Sequence, residues 1–282
     1  MKKHTILLTL LPALLITACA GGDYRSISRE KLDSTSEPTN PSASTDGSTA
    51  SAEEEPYLHN LKKEDYKSFY KYYFARLNKF KSYKTATLGE TKAVIVTQPI
   101  EATVIKGEYS YMTNISHSAF ADTEHKAYYH NGKAVYKDYG EDDYHVSTLD
   151  EYLDKYGFYP LENSIEGYIV KEEYMDFITI KKNKDDDNYV VDFDLDPEKS
   201  TPNVKLQMKA FGGLDNFPAF TKVSLTLTLK DDYTPVKIVA STNYNVTKGI
   251  PAACSQNYTV TFSNFDEEIL PPDLEAIKPL FN

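Results

Sequence analysis

The stretch Val223-Ser224-Leu225-Thr226-Leu227-Thr228-Leu229-Lys230 places an apolar side chain at every second position. Successive side chains of a β-strand point to opposite faces, so this stretch predicts a strand with one buried and one solvated face. The same alternation recurs at 189–195 and 258–262. Strands of this kind are typical of an antiparallel sheet, in which one face packs on a core and the other meets water.

The chain before and between these strands has the composition of further short strands separated by turns. Asn131-Gly132, residues 184–188 and Asp231-Asp232-Tyr233 are rich in the residues that favour tight turns. Between them we predict strands at 83–88, 92–98, 100–106, 108–115, 125–130, 134–139, 166–170, 174–181 and 235–246. The pattern therefore indicates about eleven or twelve antiparallel strands in one body.

A few segments have the period of a helix instead. The first follows Asn60, its predicted N-cap, and its apolar side chains recur at steps of three and four: Tyr66, Phe69, Tyr70, Tyr73, Leu77 and Phe80. The second is capped by Ser147 or Thr148, with Asp150 or Glu151 three residues on as in a capping box, and runs through Tyr156. The third places Pro202 at its first helical position and ends before Gly212-Gly213. A large sheet with so few helices predicts an α+β fold.

Composition excludes several classes of function. The 282 residues include 31 basic and 42 acidic side chains, giving a formal charge of −11, and nucleic acid would require a basic surface. Two cysteines are too few for a disulfide-rich scaffold or a zinc site built from cysteines. The sequence contains neither a glycine-rich phosphate loop nor a Gly-x-Ser-x-Gly nucleophile elbow. We therefore expect no catalysis, no cofactor, no metal and no nucleic-acid partner.

The N-terminus has the features of a targeting segment. Lys2 and Lys3 precede the apolar residues 5–17, a run shorter than the ~20 residues that a membrane-spanning helix needs. Ile16-Thr17-Ala18-Cys19 follows, and ordinary secretory cleavage near Ala18 or Ala20 is the alternative interpretation of this region. The four residues resemble the lipobox of bacterial lipoproteins, which has an aliphatic residue, two small residues and then cysteine.

That resemblance implies that residues 1–18 are a signal peptide and that Cys19 becomes the first mature residue. Cys19 would then carry a thioether-linked diacylglycerol, with acyl chains such as palmitate. Two acyl chains give stable membrane anchoring, whereas one chain alone gives only marginal binding. The resemblance therefore predicts a protein that is held at the cell membrane and faces away from the cytoplasm.

Residues 19–56 differ sharply in composition from the rest of the chain. Positions 34–51 contain ten Ser or Thr and two Pro, and no aromatic residue, Val, Ile or Leu. Such a segment cannot bury enough apolar surface to offset its chain entropy, so we expect a disordered tether. The folded domain is then 57–282. A long tether suits a cell wall that must be crossed, which favours a Gram-positive cell surface over a periplasm.

The order of elements resembles that of the lipoprotein-carrier superfamily. An opening helix, a long run of strands and mid-chain helices precede a closing part made of 223–229, a turn at 231–234, 235–238 and 258–265. This superfamily includes the periplasmic lipoprotein chaperones of Gram-negative bacteria and mycobacterial lipoproteins that carry glycolipids. The resemblance implies a single large antiparallel sheet, curved into an unclosed β-barrel and lidded by helices. Some members hold acyl chains on the concave face.

The expected ligand is therefore lipid-like or otherwise hydrophobic, and the other expected partners are the membrane and an envelope protein. We expect a monomer whose concave face is lined by Val94, Val96, Leu225, Leu227, Val260 and Phe262. An interior filled by the chain's own 23 Tyr and 13 Phe remains an alternative. In that case the protein would be a surface-displayed module that binds protein or glycan. Its contact face would be the tyrosines of neighbouring strands: Tyr109, Tyr111, Tyr128, Tyr129, Tyr136 and Tyr139.

Three further groups of polar residues are interpreted as structural. Cys254 has no nearby histidine or cation in sequence, which indicates a buried thiol and not a nucleophile. The run 185–187 lacks the frame of a calcium loop and is typical of a solvated turn. Four histidines match no metal-binding spacing and are expected at the surface: His117, His125, His130 and His145.

Overall fold

The computed structural model describes residues 56–93, 96–117, 122–156, 165, 167–212, 214–248 and 250–282. The predicted signal peptide, Cys19, nearly all of the predicted tether and Val94 lie outside the described residues.

The described residues form one antiparallel sheet of eleven strands. The strands are β1 (Tyr83–Ala93), β2 (Val96–Lys106), β3 (Ser110–His117), β4 (Asp122–His130), β5 (Lys133–Asp138), β6 (His145–Thr148), β7 (Met175–Lys182), β8 (Tyr189–Leu195), β9 (Ala219–Leu229), β10 (Pro235–Lys248) and β11 (Ile250–Ser263). Their order is β6-β5-β4-β3-β2-β1-β11-β10-β9-β8-β7, so β6 and β7 are the two edges. The predicted α+β fold, with a single large antiparallel sheet that is not closed into a barrel, is confirmed.

The alternation of the sequence determines which face of the sheet is buried. Leu227 stands opposite Val191 of β8 and Ile238 of β10, and Ile238 stands opposite Val260 of β11. These side chains are at most 1% exposed and form one apolar row across four strands. Burial of each contributes about 1.5–3 kcal/mol. We call the face that carries this row the inner face.

Four α-helices accompany the sheet in the part of the chain that the structure describes: α1 (Phe69–Lys79), α2 (Leu149–Tyr156), α3 (Pro202–Gly212) and α4 (Leu274–Ile277). Helix α2 begins with the predicted capping box, because the Thr148 amide donates to the Glu151 carboxylate and the Glu151 amide donates to the Thr148 hydroxyl. Pro202 is the first residue of α3, as predicted.

Asn60 is not the N-cap of the first helix, so that prediction is wrong. A separate 3₁₀ turn covers Leu58–Asn60, and its Leu58 amide donates to the Asp231 carbonyl at 2.9 Å. A second 3₁₀ turn, Lys63–Ser68, leads into α1 without a side-chain cap. The hydrogen bond from Leu58 to Asp231 holds the segment before α1 on the β9–β10 turn. This contact, and not a capping side chain, sets the position of that segment.

Two strand predictions also need correction, and one strand was not predicted. The segment 92–98 contains the end of β1 and the start of β2, so it is not one strand. In the predicted strand 166–170, the described residues 167–170 contribute only the isolated bridge of Tyr168 with Ile165. Strand β6 was not predicted, since its burial does not alternate and most of its residues are exposed.

The core has two parts on the inner face and a third part on the opposite, outer face. Helix α1 packs on β8, where the Phe69 and Phe193 ring centroids are 5.3 Å apart. Helix α2 packs on β4 and β5 through buried tyrosines. On the outer face, Ile277 of α4 joins a cluster with Ile105, Tyr111, Tyr128 and Val135. The candidate site lies on the inner face under α1 and α3.

Candidate ligand-binding site on the inner face

A cavity of about 160 Å³ lies on the inner face near the middle of the sheet. Helix α1 contributes Tyr73 and Leu77 to its wall, and α3 contributes Val204 and Met208. The rest of the wall comes mainly from strands β1, β2, β3, β10 and β11: Tyr83, Thr85, Thr87, Ile100, Ala102, Val104, Met112, Thr113, Asn114, Ile238, Gln256, Tyr258 and Phe262, with Tyr168. The sheet and two helices therefore surround one mostly apolar space.

The size of this cavity limits what it can hold. An engineered cavity of ~150 Å³ binds one benzene molecule, whereas pockets for drug-sized ligands measure ~300–1,000 Å³. A volume near 160 Å³ therefore accommodates a short length of one alkyl chain or a group of similar size. It does not accommodate two acyl chains side by side.

A small set of polar side chains lies within this apolar wall. Strand register places Thr87 opposite Ala102 and Ala102 opposite Asn114, so the three share one row of the inner face. Thr85, two residues from Thr87 on β1, is 5% exposed, and Thr87 is 8% exposed. Gln256 belongs to β11. None of the four polar side chains has a hydrogen-bond partner within the described ranges, which leaves them able to bond a guest.

The six residues expected to line the concave face differ in their placement. Phe262 lies in the cavity wall. Leu225, Leu227 and Val260 are at most 1% exposed and belong to the packed core beside it. Val96 is half-buried at the start of β2, outside the described wall, and Val94 is outside the described residues. Ligand contact by these residues stays a prediction.

The threonines of β1 were not among the residues predicted to line the concave face. Their signal was present, since Tyr83, Thr85 and Thr87 alternate with Lys84 and Ala86. Apolar character was the criterion for an inward side chain, and threonine does not meet it. On this strand the outward position holds Leu88, which is 63% exposed.

The tyrosines do not form the expected contact face. Tyr111, Tyr128, Tyr129 and Tyr136 are buried, while Tyr139 is 59% exposed and Tyr109 is half-buried. Tyr129 and Tyr136 belong to the core under α2, and Tyr111 and Tyr128 to the core on the outer face. These six residues therefore form no contiguous exposed patch. The interaction-module hypothesis loses the surface on which it was based.

The histidine prediction is wrong for His125, which is 5% exposed. Its Nδ1 lies 2.7 Å from the Asp138 carboxylate, and its Nε2 lies 2.8 Å from the Tyr152 hydroxyl. The Tyr156 hydroxyl donates to the second Asp138 oxygen at 2.8 Å. With the proton on Nδ1, His125 donates to Asp138 and accepts from Tyr152. This network fastens α2 to β4 and β5.

Burial and hydrogen bonding shift the pKa values of Asp138 and Tyr152. Burial raises the pKa of the Asp138 carboxyl, but the hydrogen bonds from His125 and Tyr156 outweigh burial and leave that pKa below its usual value. Burial raises the pKa of the Tyr152 hydroxyl well above its usual value. Tyr152 therefore stays neutral and Asp138 ionised at neutral pH.

The remaining polar groups agree with structural roles. Cys254 is buried, and burial raises the pKa of its thiol to about 11. The segment 185–187 lies in the turn between β7 and β8, where the Asn188 amide donates to Asp186. Across the described ranges, no three His, Cys, Asp or Glu side chains come together in a way that could hold a metal ion. His145 is exposed and His130 half-buried, and the side chain of His117 lies outside the description.

Comparisons with known proteins give similarity only at the level of solved structures. No protein-family model matches the chain, and no curated protein matches it. Helices long and apolar enough to cross a membrane are absent from the described residues.

Three solved structures illustrate the likeness. LprF from Mycobacterium bovis is 11% identical, with a TM-score of 0.39, over 74% of this chain and 97% of that one. A DUF1329 family protein from Desulfovibrio piger is 9% identical, with a TM-score of 0.30, over 73% and 95% of the two chains. A LolA superfamily protein from Nitrosomonas europaea is 10% identical, with a TM-score of 0.28, over 73% and 96%. At these identities and TM-scores, no activity of the three proteins is transferred to this chain.

Proposed function

We propose that the protein is a membrane-anchored lipoprotein on the extracytoplasmic side of the membrane that binds or carries a lipid-like ligand in its inner-face cavity. The observation that supports ligand binding is the cavity of about 160 Å³ between the sheet and helices α1 and α3. Binding sites for small apolar molecules are typically concave, mostly apolar and equipped with a few polar groups, and this wall has that composition. No catalytic step forms part of the proposal.

The anchor rests on the sequence alone. Ile16-Thr17-Ala18-Cys19 supports lipidation of Cys19 after removal of residues 1–18, and the Ser- and Thr-rich residues that follow support a tether to the folded domain. Such a tether favours a Gram-positive cell surface. A ligand that enters from the bilayer would then have only the length of the tether to cross.

Native mass spectrometry without detergent tests ligand binding on a soluble form, residues 20–282, incubated with lipid. We expect one bound lipid per chain. Ala102→Phe should abolish binding, because a phenyl ring fills a cavity that is close in volume to one that holds benzene. The matched control is Ala86→Phe on the outer face of the neighbouring strand β1, which should bind lipid normally. Equal binding by both variants would refute this site.

Membrane fractionation of the full-length protein tests the anchor. Cys19→Ser should move the protein from the membrane to the soluble fraction and prevent incorporation of labelled palmitate. Cys254→Ser serves as the control, since the only other cysteine of the chain lies buried in the folded domain. Retention of Cys19→Ser in the membrane would refute lipidation at this residue.

A further inference from the structure

We propose that the ligand is a single-chain lipid whose head is uncharged and bears hydroxyl groups, as in a monoacylglycerol. This inference depends on the proposed lipid binding and specifies its ligand class. It comes from the polar residues of the cavity wall and from the absence of charged side chains among the described residues of that wall.

Two threonines of the wall, Thr85 and Thr87, carry neutral side chains that can bond a guest. Thr85 and Thr87 are more than nine-tenths buried on the inner face of β1, and the structure gives neither hydroxyl a protein partner within its described residues. Neither hydroxyl oxygen is among the fully buried polar atoms that lack a partner in the described residues, so both are open to the cavity and a guest can bond them in exchange for water. A threonine hydroxyl can both donate and accept, which suits the hydroxyl groups and ester oxygens of a glyceryl head.

The arrangement of these groups matches a small head. Thr87 and Asn114 flank Ala102 in one row of three strands, so their Cα atoms are separated by two strand spacings, about 10 Å. The short side chain of Ala102 leaves space between them. Two neutral hydrogen-bonding side chains therefore project from the inner face on either side of Ala102, where both can reach one small head group. Leu77, Val204 and Met208 of the helices would contact only the first carbons of the chain, because the cavity of about 160 Å³ leaves the rest of the chain outside it.

Charge discriminates against the commoner single-chain lipids. The described wall holds no Lys or Arg, and Lys106, which stands opposite Tyr83, keeps its Nζ over the Tyr83 ring. A carboxylate or phosphate that enters this wall would therefore lose its hydration without a direct ion pair. Binding of a fatty acid at neutral pH therefore includes the unfavourable free energy of dehydrating its carboxylate, whereas a monoacylglycerol with the same chain has no charge to dehydrate. The volume excludes a second acyl chain beside the first.

The test compares monolauroylglycerol with laurate by isothermal titration calorimetry on residues 20–282 at neutral pH, below the micellar concentration of either lipid. We expect monolauroylglycerol to bind about tenfold more tightly or better, since the unmatched burial of a carboxylate costs at least as much as one decade of affinity. Thr87→Val removes one hydroxyl with little change of shape. It should weaken monolauroylglycerol about 3–10-fold and leave laurate unchanged.

The control is Thr259→Val on the outer face of β11, which makes the same chemical change outside the cavity and should alter neither affinity. Urea unfolding checks the fold of both variants. Thr87→Val should be as stable as wild type or more stable, because its hydroxyl has no protein partner in the described structure. Equal affinities for the two lipids, or a preference that Thr87→Val leaves intact, would overturn this inference but leave lipid binding standing. Failure of both lipids to bind would overturn the proposed function as well.

Discussion

Asp138→Asn tests how α2 is attached to the sheet. The Asp138 carboxylate accepts from His125 at 2.7 Å and from Tyr156 at 2.8 Å, and both donors are at most 5% exposed. Asparagine has the same shape but no charge and only one oxygen, so with the His125 proton on Nδ1 at least one buried donor loses its acceptor. Hydrogen bonds to charged groups contribute about 1.5–3 kcal/mol each. We expect the free energy of unfolding at pH 7 to fall by about that amount, measured by urea denaturation of residues 20–282.

The pH dependence gives a second test of the same pair. The pKa of Asp138 is lower in the folded protein than its usual value, which is about 3.9 for an unfolded chain. Its ionised form therefore stabilises the fold above that value, and the contribution disappears as the pH falls through the folded-state pKa. The difference between wild type and Asp138→Asn should be complete at pH 7 and shrink below about pH 4.

The control is Asp143→Asn, the same substitution at an exposed position, which should change stability by less than about 0.5 kcal/mol. Asp138→Asn within that same margin of wild type at pH 7 would refute the argument. So would a difference that stays constant down to about pH 2, where an ordinary carboxyl is protonated.

Three further outcomes are expected from the packing. Leu227→Ala at a position with 0% exposure should lower the free energy of unfolding by about 2–5 kcal/mol. Leu88→Ala, where 63% of the side chain is exposed, should change it by less than about 0.5 kcal/mol; comparable losses would contradict the burial pattern. Gly89→Ala would press its Cβ into the β11 backbone and should cost about 1–3 kcal/mol. A Cβ at Gly107 would lie 3.8 Å from its nearest neighbour, the Tyr109 carbonyl oxygen, so Gly107→Ala should be tolerated. Thermal unfolding of both glycine variants measures the difference. Cys254, whose buried thiol has a pKa of about 11, should react with a thiol reagent at about pH 8 only after unfolding in urea, and equal rates would disprove its burial.

The sequence predicted the sheet well where its inner face is apolar. In β8 and β9 the alternating Val, Leu and Phe side chains are the buried ones, since on these strands the buried face and the hydrophobic face coincide. Where the buried face is also the hydrophobic one, alternation of apolar and polar residues shows which side chains are buried. The class of the fold and the two mid-chain helices followed from such local signals.

The candidate site was predicted less well because on β1 the side chains that face inward are not the hydrophobic ones. On β1 the inward positions hold Thr85, Thr87 and Gly89, while the apolar Leu88 faces outward. An argument from hydrophobicity therefore selected Leu225 and Leu227, which are core residues, in place of the threonines of the cavity wall. His125 carried a usable signal, since it shares the parity of the buried Ala127 and Tyr129 on β4, and that parity indicates an inward position.

The pairing of β1 with β11 has a consequence for the order of folding. Each half of the sheet, β1 to β6 and β7 to β11, is a local meander of neighbouring hairpins, but the seam between the halves joins Lys84 to Ser263, almost two hundred positions apart along the chain. Long-range pairing is slow, because a large loop must close before its contacts stabilise it. During synthesis the seam cannot form until its last strand emerges. The hairpins of the two halves can therefore form separately, and the sheet becomes continuous only after β11 has been made.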